Sequence, residues 1–196
     1  MKSILVTSIL LLLSVLSFAQ SSKVSGSKYG LLFMAGARYD DVRRCVATSP
    51  GTKGGPMADI MLTRVFQLSE SKSLRVNLPV MRPILFAVAF KMLQFEPEAN
   101  LFFTSNAAEH KRLFLSPGLG FSLNYGPDYM SDNGVDAERF FSYGPTFSLQ
   151  TGLSLGAAKT SSASFRVFYT PLFASGVGKN GTVLGASIQY WFSFAK

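Results

Sequence analysis

The chain has 196 residues, 47% of them hydrophobic and 13% aromatic, with a formal charge of +8; this is the length of one domain, and no Pro- or Ser-rich linker divides it. A single cysteine, Cys45, excludes an intramolecular disulfide framework. A spanning helix is excluded as well, because the best candidate after the first residues, 83–95, is short of the roughly 20 apolar residues needed and contains Lys91.

In chain order, Lys2, the apolar run 4–16 and the small residues Ser17 and Ala19 supply the charged start, apolar centre and cleavage site of a secretory signal peptide over residues 1–19. No cysteine stands at the expected cleavage position directly after the run, so a lipoprotein attachment is not expected. Residues 20–28 are rich in Ser, Gly and Lys and read as a flexible leader, which leaves 29–196 as the folded domain. An exported chain is not expected to meet nucleic acid. The basic excess, reduced by one when Lys2 leaves, can meet anionic lipid head groups including lipopolysaccharide phosphates. The stronger reading is internal pairing of Arg38, Arg75 and Arg166 with Asp or Glu.

From Tyr29 the residues alternate. Tyr29, Leu31, Phe33, Ala35, Ala37 and Tyr39 share one face of an extended strand, and Gly30, Leu32, Met34, Gly36, Arg38 and Asp40 share the other. Residues 41–56 carry Pro, Gly and charge without periodicity and predict a long loop, with Cys45 as an incidental thiol or, alternatively, an intermolecular pairing site. A second strand over 57–68 turns Ala58, Ile60, Leu62, Phe66 and Leu68 outward, with Arg64 as the exception, able to snorkel if it lies near a membrane boundary. After a short turn at 69–73, Leu74, Val76, Leu78 and Val80 alternate with Arg75, Asn77 and Met81. Pro79 and Pro83 then interrupt pairing. Beyond them, Phe86, Val88, Phe90 and Met92 alternate with Ala87, Ala89 and Lys91, which predicts one more strand, with a short helix as the alternative. Residues 96–100 break this element, and 101–104 predict a separate strand or the return half of a hairpin.

The later strands decide which face meets what. Leu113, Leu115, Pro117, Leu119, Phe121, Leu123 and Tyr125 oppose Phe114, Ser116, Gly118, Gly120, Ser122 and Asn124; Tyr143, Pro145, Phe147, Leu149, Thr151, Leu153 and Leu155 oppose Gly144, Thr146, Ser148, Gln150, Gly152 and Ser154. A solvated sheet face usually carries Lys and Glu, whereas Gly, Ser, Thr, Asn and Gln suit the narrow interior of a filled barrel whose apolar face meets lipid. Phe165, Val167, Tyr169, Pro171 and Phe173 continue the outer face, against Ser164, Arg166, Phe168 and Thr170 within. In the final stretch, 182–196, Leu184, Ala186, Ile188, Tyr190, Phe192 and Phe194 point to lipid while Gln189, Trp191 and Ser193 point inward. Long gaps at 41–56 and 126–139 alternate with short ones at 69–73 and 158–162, as extracellular loops alternate with periplasmic turns. The fold class is therefore all-β: an antiparallel up-and-down transmembrane β-barrel of about eight strands, both termini on the periplasmic side, located in the outer membrane of a Gram-negative cell.

With a signal peptide, alternating strands and an aromatic final strand, residues 29–196 resemble the small outer-membrane β-barrel family typified by the OmpA and OmpX membrane domains. The resemblance rests on pattern and not on a sharp motif. It implies that the last strand is read by the barrel assembly machinery, with Tyr190, Phe192 and Phe194 as the signal; Ala195 and Lys196 stand where the family usually ends on Phe.

Chemistry-bearing groups are sparse. His110 adjoins Glu109 and precedes Ser116, but no nucleophile lies at a spacing that would make a triad. Asp128, Asp132, Asp136 and Glu138 form an acidic loop that lacks EF-hand spacing and reads as solvated. No catalytic residue, metal or cofactor is expected. The expected function is a non-enzymatic outer-membrane barrel with a structural, adhesive or assembly-partner role; the alternatives are a soluble, secreted lipocalin-like binding barrel and a lipid-modifying outer-membrane enzyme.

Overall fold

The computed structural model describes residues 28–40, 53–90, 92–106, 112–127, 139–155, 160–175 and 180–194. Residues 1–19, expected as a signal peptide, together with Cys45, Glu109, His110 and the acidic residues Asp128, Asp132, Asp136 and Glu138, lie outside the described residues. Among the described residues there are nine strands and one helix, in the order β1 (Lys28–Asp40), β2 (Gly55–Gln67), β3 (Lys72–Pro79), α1 (Met81–Phe90), β4 (Leu93–Phe95), β5 (Glu98–Asn106), β6 (Arg112–Pro127), β7 (Arg139–Leu155), β8 (Ser161–Ser175) and β9 (Gly181–Ser193).

All pairings are antiparallel, and the sheet closes on itself. β1 joins β2 and β9, β9 joins β8, β8 joins β7, β7 joins β6, β6 joins β5, and β5 joins β3, which returns to β2. β4 and β5 pair along the same strand, β6, with Phe95 opposite Leu123 and Glu98 opposite Gly120, so the two are one stave interrupted at Glu96 and Pro97. The barrel thus has eight staves. The first residues of β1 and the last of β9 share one end, since Gly30 lies opposite Ser193. The opposite end is the loop end.

Facing follows the period-two pattern. Leu62, Phe147, Phe165 and Tyr190 are exposed outward, and Ile188 is 70% exposed. Arg38, Asn124, Gln150, Arg166 and Gln189 are buried inward beside an apolar cluster of Leu32, Met34, Met57, Met61, Phe168, Leu172, Val183 and Trp191. The final strand matches the alternation read from it: Trp191 is 4% exposed, and its indole Nε1 donates to Thr63 Oγ1 at 2.6 Å. A Cβ on Gly30 would meet Phe192 O and come within 2.6 Å of that Nε1, so the bare glycine makes room for the indole.

The strand expected from the alternation of Phe86 to Met92 is a correction. Residues 81–90 are helical, the alternative the sequence left open, and Met81 lies on α1 and not on the inner face of a strand. Pro79 ends β3 opposite Met61, halfway along β2, and Pro83 falls in the first turn of α1, where a missing N–H costs no hydrogen bond. The alternation of Phe86 and Val88 was embedded in a run apolar on every side, which suits a helix as well as a buried strand. The hairpin alternative for 101–104 is likewise replaced: these residues belong to β5, the continuation of the β4 stave.

Candidate functional site

α1 occupies the loop-end half of the third stave, between β2 and β4. β2 therefore loses its strand partner beyond Ile60, and a ladder that ends inside a wall leaves polar backbone groups to be satisfied. Asp59 substitutes for the missing strand. Its Oδ1 accepts from the Ile60 amide at 2.8 Å and from the Arg82 amide in the first turn of α1 at 2.9 Å. Val80 N closes the last ladder bond to Ile60 O at 3.0 Å, and Met92 N returns to Phe86 O at 3.1 Å.

Behind α1 an ion-pair chain crosses the lumen. Asp40 Oδ2 accepts from Arg38 Nη2 at 3.0 Å; Arg38 Nη1 reaches Glu96 Oε1 at 3.3 Å; Arg82 Nη1 meets Glu96 Oε2 at 2.5 Å; and Arg82 Nε lies 3.4 Å from Asp59 Oδ2. Ser122 Oγ also donates to Glu96, at 3.3 Å. The chain ties β1, the stave break, α1 and β2 together.

Two residues on, Glu98 anchors a second cluster. Arg166 engages it with two nitrogens, Nε to Oε1 at 3.3 Å and Nη2 to Oε2, a bidentate geometry that favours Arg over Lys. Asn100 Nδ2 donates to Glu98 Oε1 at 2.6 Å, Ser148 Oγ donates to the same oxygen, and Asn77 Nδ2 donates to Asn100 Oδ1 at 2.6 Å. Gly118 faces this cluster. Any Cβ there would collide with Asn100 Nδ2, Ser148 Oγ and Glu98 Oε1, so the missing side chain is the space the cluster fills.

Among the described residues, internal pairing with acids holds for Arg38 and Arg166 but not for Arg75. The Arg75 guanidinium lies between the rings of Phe102, at 4.3 Å, and Trp191, at 4.5 Å, and donates to Ser162 Oγ at 3.3 Å. At this level, near the terminal end, the inward neighbours described are aromatic or hydroxylic, while the inward acids Asp40, Asp59, Glu96 and Glu98 sit nearer the loop end, so cation–π contacts replace an ion pair. Arg64 points outward, with its guanidinium over Tyr29 at 5.2 Å and Phe66 at 4.7 Å.

An interior space behind α1 measures about 10 Å³, between Met34, Met57, Arg82, Glu96, Glu98 and Arg166. That is about the volume one water requires. Ser116 points inward and is fully buried, while its suggested partners Glu109 and His110 lie outside the described residues. Among the described residues no group of three or more His, Cys, Asp or Glu could hold a metal ion. Of the residues suggested as an assembly signal, Tyr190 and Phe194 are exposed; Phe192 is half-buried, stacked on Phe33 at 5.9 Å and edge-on to Phe194 at 5.4 Å.

Asp59, Arg82, Glu96 and Glu98 were not singled out from the sequence. For Glu98 a signal was present: Glu98, Asn100 and Phe102 continue the inward alternation of a stave. Asp59→Ala is expected to lower stability by about 1–2 kcal/mol, the scale of a lost helix cap, and to accelerate amide exchange at Ile60 and Arg82 selectively. Hydrogen-exchange mass spectrometry reads this; unchanged exchange at both amides removes Asp59 from the role.

A closed eight-stave antiparallel barrel, apolar outside and filled by polar and ionic side chains, has the fold of the small outer-membrane β-barrels, the OmpA/OmpX-like architecture. Among solved structures, the chain is similar to Neisserial surface protein A, at 10% identity and a TM-score of 0.51, over 87% of this chain and 100% of that one. It also matches the N-terminal β-barrel domain of Pseudomonas aeruginosa OprF (9% identity, TM-score 0.42, 85% and 100% covered) and Ail, the attachment invasion locus protein of Yersinia pestis (8%, 0.38, 87% and 100%). No family model and no curated protein matches the sequence.

Proposed function

We propose that the chain is a non-enzymatic protein of the outer membrane, whose barrel serves as a structural or adhesive platform, or as an assembly partner, and not as a solute channel. The observation that carries this reading is the polarity of the two faces: exposed apolar residues form the outward belt, while ion pairs and buried polar side chains pack the lumen together with one apolar cluster and leave no ligand-sized apolar pocket among the described residues. A soluble ligand-binding barrel requires the opposite, apolar residues around an internal pocket. On this reading the terminal end faces the periplasm, the loop end the cell exterior, and Tyr190, Phe192 and Phe194 present the last strand to the assembly machinery. Outer-membrane lipid, including lipopolysaccharide, surrounds the belt.

Membrane fractionation followed by a detergent gel tests the proposal. The protein is expected in the outer-membrane fraction, with unheated and boiled samples migrating differently; recovery as a soluble periplasmic monomer overturns it. His110→Ala is expected to leave lipid turnover unchanged, and loss of turnover of lipid A or phospholipid in that variant would replace the non-enzymatic reading.

A further inference from the structure

A groove of about 340 Å³ opens on the outside of the barrel where α1 meets β4 and β6, lined by Ala87, Met92, Leu93, Tyr125 and Arg139. Its origin is geometric. A packed helix stands about 8–10 Å from its neighbour whereas paired strands lie about 4.8 Å apart, so a helix set into a strand wall leaves a step beside it. The outward face of α1 is apolar, with Ile84, Leu85 and Val88 all exposed.

One end of the groove is cationic. Arg139 is opposite Pro127, at the loop end of the β6–β7 ladder, and it is exposed without a carboxylate or ring partner among the described residues. Directly below it on the outer face, Phe141 stacks on Tyr143 at 5.7 Å, and Tyr143 meets Phe173 at 6.1 Å. Such an aromatic cluster marks the level of the membrane interface. Arg139 therefore sits at head-group height above an apolar trough. Two basic side chains at the other rim differ: Arg64 and Lys72 cover the rings of Phe66 and Phe103.

We propose that this groove is a lipid site for one acyl chain of a phosphate-bearing lipid of the outer leaflet, with the Arg139 guanidinium on the phosphate. The inference rests on the membrane reading above. The apolar lining accepts the chain; the exposed Arg139 guanidinium selects the anionic head.

Native mass spectrometry of the full barrel released from detergent tests it, with phosphatidylglycerol, diacylglycerol of the same chains, and inorganic phosphate as probes. The barrel is expected to retain phosphatidylglycerol about tenfold more than diacylglycerol, the scale of one charge-assisted hydrogen bond. Arg139→Gln should abolish that preference, and Ala87→Phe, which fills the trough, should reduce retention of both lipids. The site is overturned if Arg139→Gln keeps the preference, if the unaltered barrel retains both lipids equally, or if inorganic phosphate displaces the lipid at equal concentration. Heat-dependent migration of the same samples separates the two readings. Its absence defeats the membrane assignment, while its presence without lipid preference defeats only the groove.

Discussion

Arg166→Met is expected to destabilise the barrel by about 3–5 kcal/mol, because it strands a buried carboxylate and does not merely remove a contact. The side chains of Arg166 and Glu98 are 7% and 6% exposed, so water cannot take over the charge. Asn100 and Ser148 still donate to Glu98 in the variant, but neutral donors do not replace a bidentate cation. The double variant Arg166→Met with Glu98→Gln should recover most of the loss, since a neutral amide oxygen can keep the bond from Asn100 and no charge remains unpaired. Denaturant unfolding in detergent reads all three proteins, and the cycle is expected to give a coupling of about 2 kcal/mol or more. Additive losses would mean that the pair is not energetically coupled.

This cluster also shows where sequence reading succeeds and where it stops. Facing along a stave is a local property with a period of two, so Leu32, Met34, Phe168 and Trp191 could be placed inside from their neighbours alone. Partner choice across the lumen is not local. Arg166 finds Glu98 from 68 positions away, and Arg38 reaches Glu96 from 58, distances over which no periodicity carries information. Arg75 illustrates the same limit: its inward direction was legible, its aromatic partners were not. α1 was hidden for a different reason. Its apolar run lacks a polar face, so period two and period 3.6 fit almost equally well, and only the prolines at 79 and 83 argued against a continuous strand. Residues 96–100 read as a breaker because turns and stave interruptions use the same residues, yet Glu98–Asn100 belong to β5, and the interruption, confined to Glu96 and Pro97, lies in the wall and directs the carboxylates of Glu96 and Glu98 into the lumen.

The apolar belt can be graded by depth, and Leu119→Arg is the sharpest probe of it. On the outer face of β6 the outward residues are Leu113, Leu115, Pro117, Leu119, Phe121, Leu123 and Tyr125, which puts Leu119 at the centre of the series. It is 54% exposed and lies beside Phe147, itself 50% exposed, so an arginine there projects into lipid and not into a core. Near the bilayer midplane such a cation costs about 2–4 kcal/mol, falling to about 0–1 kcal/mol near an interface where the side chain can snorkel. Leu113→Arg, at the terminal end of the same face, should therefore cost little, and Leu119→Ala should lose less than Leu119→Arg. Folding free energies of the three variants in lipid vesicles measure the gradient. A soluble barrel has no reason to distinguish two exposed leucines by height, so equal costs at positions 113 and 119 would count directly against burial of this face in a bilayer.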